Sequence, residues 1–234
     1  MTSEKYKKKF AILIAARSDS ARLPGKHLKI INNKHRLTVL DYCIKRCRNS
    51  KIKNIILCTS NNKKDNIFKK LTKKNKIKIF RGSKNNVLKR FIDCGEKYNL
   101  SDIVRITGDC PLVDKNIINN LLNIYMKNNY DYVSNVNPST FPDGLDVEIV
   151  KLSTLKKSFN ENKSEANKEH VTLNIRKSDK YKKYNMFYKK NNLSKIRWTV
   201  DTENDLHLIK KIVMKFHPKI HFSWQEIYKM KIFN

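Results

Sequence analysis

The sequence predicts an α/β fold built on a mostly parallel central sheet with helices on both faces. Three observations predict it. Short apolar runs rich in β-branched residues alternate with segments of helical periodicity, and the scarce glycines and prolines fall beside those runs. The chain of 234 residues is also long enough to bury a core without disulfide or metal support.

Phe10 to Ala16 is apolar and bounded by charge, as a buried parallel strand is. A polar loop, 17–26, follows. Leu37, Leu40, Ile44 and Cys47 recur at helical spacing. Ile55 to Thr59 then predicts a strand, Asp65 to Lys73 a helix and Ile77 to Phe80 a strand. Val87 to Tyr98 predicts a helix, Ile103 to Thr107 a strand and Ile117 to Met126 a helix, so the alternation of a parallel sheet runs to about residue 130. Beyond Asp131 the rhythm changes. Leu145 to Val150 predicts a strand, the lysine-rich stretch from Ser153 to Ile175 one helix, Tyr184 to Tyr188 and Ile196 to Val200 extended chain, and Asp205 to Phe216 a last helix. Without a linker or repeat, 1–234 is expected to be one domain, with halves 1–130 and 131–234.

Lys and Arg number 51 against 21 Asp and Glu, a formal charge of +30. Such a charge can mark a nucleic-acid binder. Here 41 of the basic residues are lysines spread along the whole chain, the pattern of a solvated surface whose field favours an anionic substrate. No partnership with nucleic acid is expected. No apolar run approaches the ~20 residues that cross a bilayer, and Met1 to Lys9 is polar, so a cytoplasmic protein without a membrane partner is expected. The five cysteines include no Cys-x-x-Cys pair and are expected to be reduced and mostly buried.

Four of the five glycines and three of the five prolines lie in Leu23-Pro24-Gly25-Lys26, Arg81-Gly82-Ser83, Gly108-Asp109-Cys110-Pro111 and Pro142-Asp143-Gly144. A glycine or proline kept in a lysine- and asparagine-rich chain suggests positive φ, fixed φ or close approach to a ligand. Seven of the ten arginines (Arg17, Arg22, Arg81, Arg90, Arg105, Arg176 and Arg197) lie in or beside these or other motif segments, and guanidinium offers a fork for phosphate or carboxylate oxygens. The loop from Arg17 to Lys26 departs from a Walker A loop, yet its Ser18, Ser20 and three cations can wrap a polyphosphate. Asp109, at the end of a predicted strand, suits Mg²⁺ held against phosphates, or it caps the following turn. Asp201 again lies where strand gives way to helix, beside a capping box at Thr202 and Asp205. His170 offers an imidazole, either as a base for an acceptor hydroxyl or as a structural histidine.

Arg17-x-x-Ser-x-Arg-Leu-Pro-Gly-Lys26, Arg81-Gly-Ser-x-x-Asn-Val-Leu88, Arg105-Ile-Thr-Gly-Asp-Cys-Pro-Leu112, Phe141-Pro-Asp-Gly-Leu-Asp-Val-Glu148, Glu169-His-Val-Thr172 and Arg197-Trp-Thr-Val-Asp-Thr202 together resemble the spore-coat-polysaccharide protein F branch of the cytidylyltransferases. That branch is similar to the CMP-Kdo and CMP-sialic acid synthetases. The resemblance implies a Rossmann-like nucleotide-diphospho-sugar transferase fold that takes CTP and Mg²⁺, transfers CMP to a sugar acceptor and releases pyrophosphate. It implies that Arg17, Ser20, Arg22 and Lys26 hold the triphosphate, with Arg17, Lys26 and Asp109 catalytic and Asp109 and Asp201 on the metal. Arg81, Ser83 and Asn86 would meet the base and ribose, and Asp143, Asp146, Glu148, His170, Arg176 and Arg197 the acceptor. A sugar acid is the expected acceptor and a homodimer the expected assembly. Two features depart from the pattern: Asp19 stands where glycine is common, and Lys84, Asn85 and Asn86 stand where acidic residues are favoured. A glycosyltransferase, a nucleotidyltransferase using another triphosphate and a basic RNA-binding protein are the alternative readings.

Overall fold

The computed structural model describes residues 9–232, so nearly all of the polar start, Met1 to Lys9, lies outside the described residues. The strands are β1 (Phe10–Ala15), β2 (Ile30–Asn32), β3 (Leu37–Thr38), β4 (Ile55–Ser60), β5 (Lys78–Gly82), β6 (Asp102–Thr107), β7 (Tyr132–Ser134), β8 (Glu148–Lys151) and β9 (Lys183–Asn185). The helices are α1 (Val39–Arg48), α2 (Phe68–Lys74), α3 (Val87–Lys97), α4 (Lys115–Lys127), α5 (Leu152–Glu161), α6 (Glu165–His170), α7 (Leu173–Lys177), α8 (Glu203–Lys215) and α9 (Trp224–Lys229).

Seven strands form one sheet in the order β5-β4-β1-β6-β8-β7-β9. The first four are parallel, β8 runs antiparallel to both its neighbours, and β9 returns parallel to β7. The period of two along each strand sends alternate residues to opposite faces. Ile12 and Ile14 of β1 and Leu57 of β4 join the core beneath α1, α2, α4 and α8, while Ala11, Leu13 and Ile56 join the core beneath α3 and α5. This is the expected α/β architecture, with helices on both faces. Because β8 and β7 continue the sheet from β6, one sheet runs through both halves of the chain.

The differences from the sequence expectation fall mostly after residue 130. The single helix expected from Ser153 to Ile175 is three, α5, α6 and α7. The first break falls where Ser164 caps α6 and the Asn167 side chain donates to the Asn162 carbonyl at 2.8 Å and accepts from the Asn174 amide at 3.1 Å. These short polar side chains compete with the helical ladder, which a periodicity of apolar residues does not register. Only Glu148–Lys151 of the strand expected from Leu145 is strand, and 196–200 is extended but contributes one isolated bridge, Asp143 to Arg197. The hairpin β2–β3, the short β7 and α9 were not expected. Within α1, Arg46 is almost fully buried and donates to the carbonyls of Val113, Ile220 and Phe222, clamping the segment that leads into α9.

Gly144 orders the loop that faces the candidate site. Its φ is +101°, and a Cβ there would lie 2.6 Å from the Trp198 carbonyl carbon. Only glycine lets this backbone pass so close to 197–200. Gly144→Ala is expected to cost at least about 2 kcal/mol of unfolding free energy in urea titration, from strained φ plus displaced backbone.

Candidate active site

At the carboxyl end of β1 the chain turns through a loop that is held at both ends. Asp65 accepts from the Ser18 amide at 2.8 Å and the Ser18 hydroxyl at 2.6 Å. His27 Nδ1 donates to the Arg17 carbonyl at 2.9 Å. Gly25, at φ +65°, turns the chain into the short 3-10 turn Lys26–Leu28. Burial pushes the His27 pKa down to about 4, so the imidazole is neutral and serves as a fixed strut.

Lys26 Nζ lies 2.5 Å from Asp109 Oδ2 and 2.8 Å from Asp201 Oδ1. Asp109 arrives from the turn after β6, and Asp201 from the segment before the capping box of α8. The two meet because the Val200 amide donates to the Asp109 carbonyl at 2.9 Å, with Thr199 Oγ1 on the same oxygen at 3.4 Å. The second oxygen of Asp201 pairs with Arg22 at 3.1 Å and Arg197 at 3.2 Å. Burial alone would raise the Asp109 pKa, but the charge and hydrogen bond of Lys26, with a hydrogen bond from Thr107, outweigh it and hold the carboxylate below its ordinary value. Burial likewise disfavours the Lys26 charge, and Asp109 and Asp201 more than offset it, so the lysine pKa is raised.

The carboxylates converge on one cation, the arrangement a small divalent ion requires. Among the described residues no cluster of three or more His, Cys, Asp or Glu could hold a metal by itself. Two carboxylates fit Mg²⁺ when phosphate oxygens and water complete its shell, and do not fit a resident structural metal.

Two cavities flank this point. One of about 310 Å³ is lined by Arg17, Ser20, Lys26, Arg105, Asp109 and His170, among others. The other, of about 470 Å³, is lined by Asp143, Asp146, Arg176, Lys195 and Arg197. Burial and the charges of Asp143 and Glu148 raise the Asp146 pKa to about 7, against the opposing pull of Arg105. Asp143 is also raised, by burial and by neighbouring Asp201, Asp109 and Asp205, against its pairing with Arg197 at 3.1 Å.

Several expected site residues are placed differently. Glu148 is 3 % exposed, with Arg105 and the hydroxyls of Tyr132 and Thr172 on its carboxylate, so it braces the sheet beneath the cavities. Arg105, which the sequence singled out as a motif member without a role, reaches the smaller cavity instead and keeps a buried Nε without a partner among the described residues. His170 lies on the cavity of Arg17 and Lys26, apart from the Arg176 and Arg197 cavity. Arg81 donates to the carbonyls of Ser60 and Asn62, and Ser83 and Asn86 form the turn and cap that open α3, so all three shape the loop. Arg90 and Glu169 are further cavity residues that the sequence singled out only as arginine or motif members. The departures Asp19 and Lys84 meet each other at 3.4 Å, and Asp19 also lies 3.6 Å from Arg17. The unusual carboxylate is therefore compensated by the unusual lysine.

The sequence profile of the cytidylyltransferases matches residues 11–230. The chain belongs to this family. It is 30 % identical to the spore coat polysaccharide biosynthesis protein SpsF of Bacillus subtilis, covering 92 % of this chain and 90 % of that one. A solved cytidylyltransferase from Leptospira borgpetersenii superposes with a TM-score of 0.90 at 30 % identity, over 96 % of this chain and 94 % of that one. A CMP:2-keto-3-deoxy-manno-octonic acid synthetase complexed with CTP shares the Rossmann-like fold, with a TM-score of 0.65 at 12 % identity over 89 % and 99 % of the chains. The enzyme is thus a CTP-dependent nucleotidyltransferase.

Between pH 6.5 and about 4 an unfolded histidine takes up a proton that buried His27 refuses, so acid favours unfolding in that window. The cytidylyltransferase is expected to lose up to about 3 kcal/mol across it, and His27→Gln to lose correspondingly less, as read by urea titration at several pH values.

Proposed function

We propose that this cytidylyltransferase transfers CMP from CTP to a hydroxyl of a sugar acid, such as a nonulosonate or 3-deoxy-octulosonate, and releases pyrophosphate. The observation that carries the reading is the meeting of Asp109 and Asp201 on one cation beside a loop bearing Arg17, Arg22 and Lys26. Arg17, Ser20 and Lys26 face a common space where triphosphate oxygens fit, and Arg105 adds a further cation to its wall. Asp109 and Asp201 are the residues that would hold Mg²⁺, which when bound supplies positive charge against the reacting phosphate.

The cavity of Asp143, Asp146, Arg176 and Arg197 is the place for the acceptor, and its arginines suit a sugar carboxylate. The acceptor oxygen attacks the α-phosphorus, its proton passes to a carboxylate, and the bond to pyrophosphate breaks. Asp143 is engaged by Arg197, whereas Asp146 joins no hydrogen bond or ion pair among the described residues. With a pKa near 7, Asp146 is the better proton acceptor of the two. His170 is set on the nucleotide side in this reading. Positioning and electrostatic stabilisation then supply most of the rate.

The purified protein with CTP, Mg²⁺ and a panel of acidic sugars is expected to release pyrophosphate with at least one of them, and to prefer CTP over ATP, GTP, UTP and dTTP. Absence of release with every sugar and every triphosphate removes the reading. Asp109→Ala is expected to lower turnover at least ~100-fold, comparable to removing one preorganised electrostatic group. A proton acceptor must be ionised, so turnover should rise with pH through about 7. Asp146→Asn should remove that limb and lower kcat by about 100-fold, while CTP affinity measured by calorimetry stays within about twofold.

A further inference from the structure

Lys26 stands between two sets of partners that it cannot serve at once. Its ammonium is seated 2.5 Å from Asp109 and 2.8 Å from Asp201, at the point from which both carboxylates could reach a divalent ion. The same side chain lines the cavity with Arg17, Ser20 and Arg105, where phosphate oxygens fit. Its backbone is fixed by the turn, with its amide on the Leu23 carbonyl at 3.1 Å and its carbonyl accepting from the Lys29 amide at 3.2 Å. The four-carbon stem is the part free to choose between carboxylates and phosphates.

The surrounding charges decide which it chooses. Asp201 already meets Arg22 and Arg197 through its other oxygen, and Arg197 is shared with Asp143 and Asp205, so in the nucleotide-free protein both oxygens of Asp201 are already engaged by cations. A divalent ion entering alone must displace a tightly held ammonium and then sit near two guanidinium groups. A triphosphate reverses this balance. It offers Lys26 new anionic partners a side-chain swing away, draws on the charge of Arg17, and brings its own oxygens to the metal's shell.

We propose that Lys26 is a placeholder cation: a positioning residue that keeps Asp109 and Asp201 converged in the nucleotide-free enzyme and yields their shared seat to a divalent ion when a triphosphate takes its ammonium. The inference rests on the proposed CTP and metal reading of the site. Its consequence is reciprocal coupling, in which nucleotide tightens metal binding and metal tightens nucleotide binding by the same factor. A lysine that only tied the loop to the sheet would behave oppositely. Its removal would leave two repelling carboxylates that splay apart and bind a metal less well.

Mn²⁺ binding to the whole protein, followed by the loss of its free-ion paramagnetic resonance signal, separates the two. The wild type is expected to bind Mn²⁺ weakly alone and about tenfold or more tighter with the α,β-methylene analogue of CTP. Lys26→Met is expected to bind Mn²⁺ without nucleotide about tenfold or more tighter than the wild type, and to lose most of the gain from the analogue. Its melting temperature should rise with Mn²⁺ alone, where that of the wild type does not. Lys26→Gln, also uncharged and close in length, provides the same comparison should the methionine variant fold poorly. Variants that fold and bind Mn²⁺ no tighter than the wild type overturn the role of Lys26 alone. A wild type whose Mn²⁺ affinity does not respond to the analogue overturns the metal reading and this inference together.

Discussion

The contact of Lys26 with Asp109 and Asp201 is the constraint on which the site depends. It joins residues 83 and 175 positions apart in the chain, and each group is paired in a region that would otherwise repel it. A buried ammonium without those carboxylates, or two facing carboxylates without a cation, would each be costly. The loop after β1, the turn after β6 and the segment before α8 are therefore committed to one mutual arrangement. The cavity lined by Arg17, Ser20 and Arg105 opens beside that point.

A layer of buried polar braces maintains it. Asp65 holds Ser18, His27 holds Arg17, and Glu148 collects Arg105, Tyr132 and Thr172 from three different segments. Each brace satisfies buried polar groups with several partners, which is what makes such networks tolerable in the interior. Their functional effect is to present cations. Arg17 and Arg105 are displayed at a cavity wall because their neighbours are fixed. The pairing of Asp19 with Lys84 belongs to the same logic, since a carboxylate on a cationic loop is acceptable once a nearby lysine balances it.

The legibility of the sequence varied with how local each signal was. The strands β1, β4 and β6 are short apolar runs buried on both faces, so their composition announces them. The capping box at Thr202 and Asp205 was readable because its two bonds lie within four residues. The break between α5 and α6 was not, because Asn167 reaches both backward to Asn162 and forward to Asn174, and the lysine-rich spacing there imitates one long helix. Glu148 was misplaced for a related reason. A motif shows that a carboxylate is present, and only the packing of Tyr132 and Thr172 against it shows that it faces inward.

By itself the sequence determined the α/β class, the positions of the cationic loop and its two distant aspartates, and the resemblance that led to the cytidylyltransferases. These are carried by residue type, periodicity and short spacing, all written along the chain. Tertiary structure alone decided that an ammonium lies between the aspartates, that Asp146 is without a hydrogen bond or ion pair among the described residues and shifted toward neutrality, and that Arg105 rather than Glu148 reaches a cavity. Charge state and partner choice depend on burial and on groups brought from far along the chain, and neither quantity exists until the sheet has closed around them.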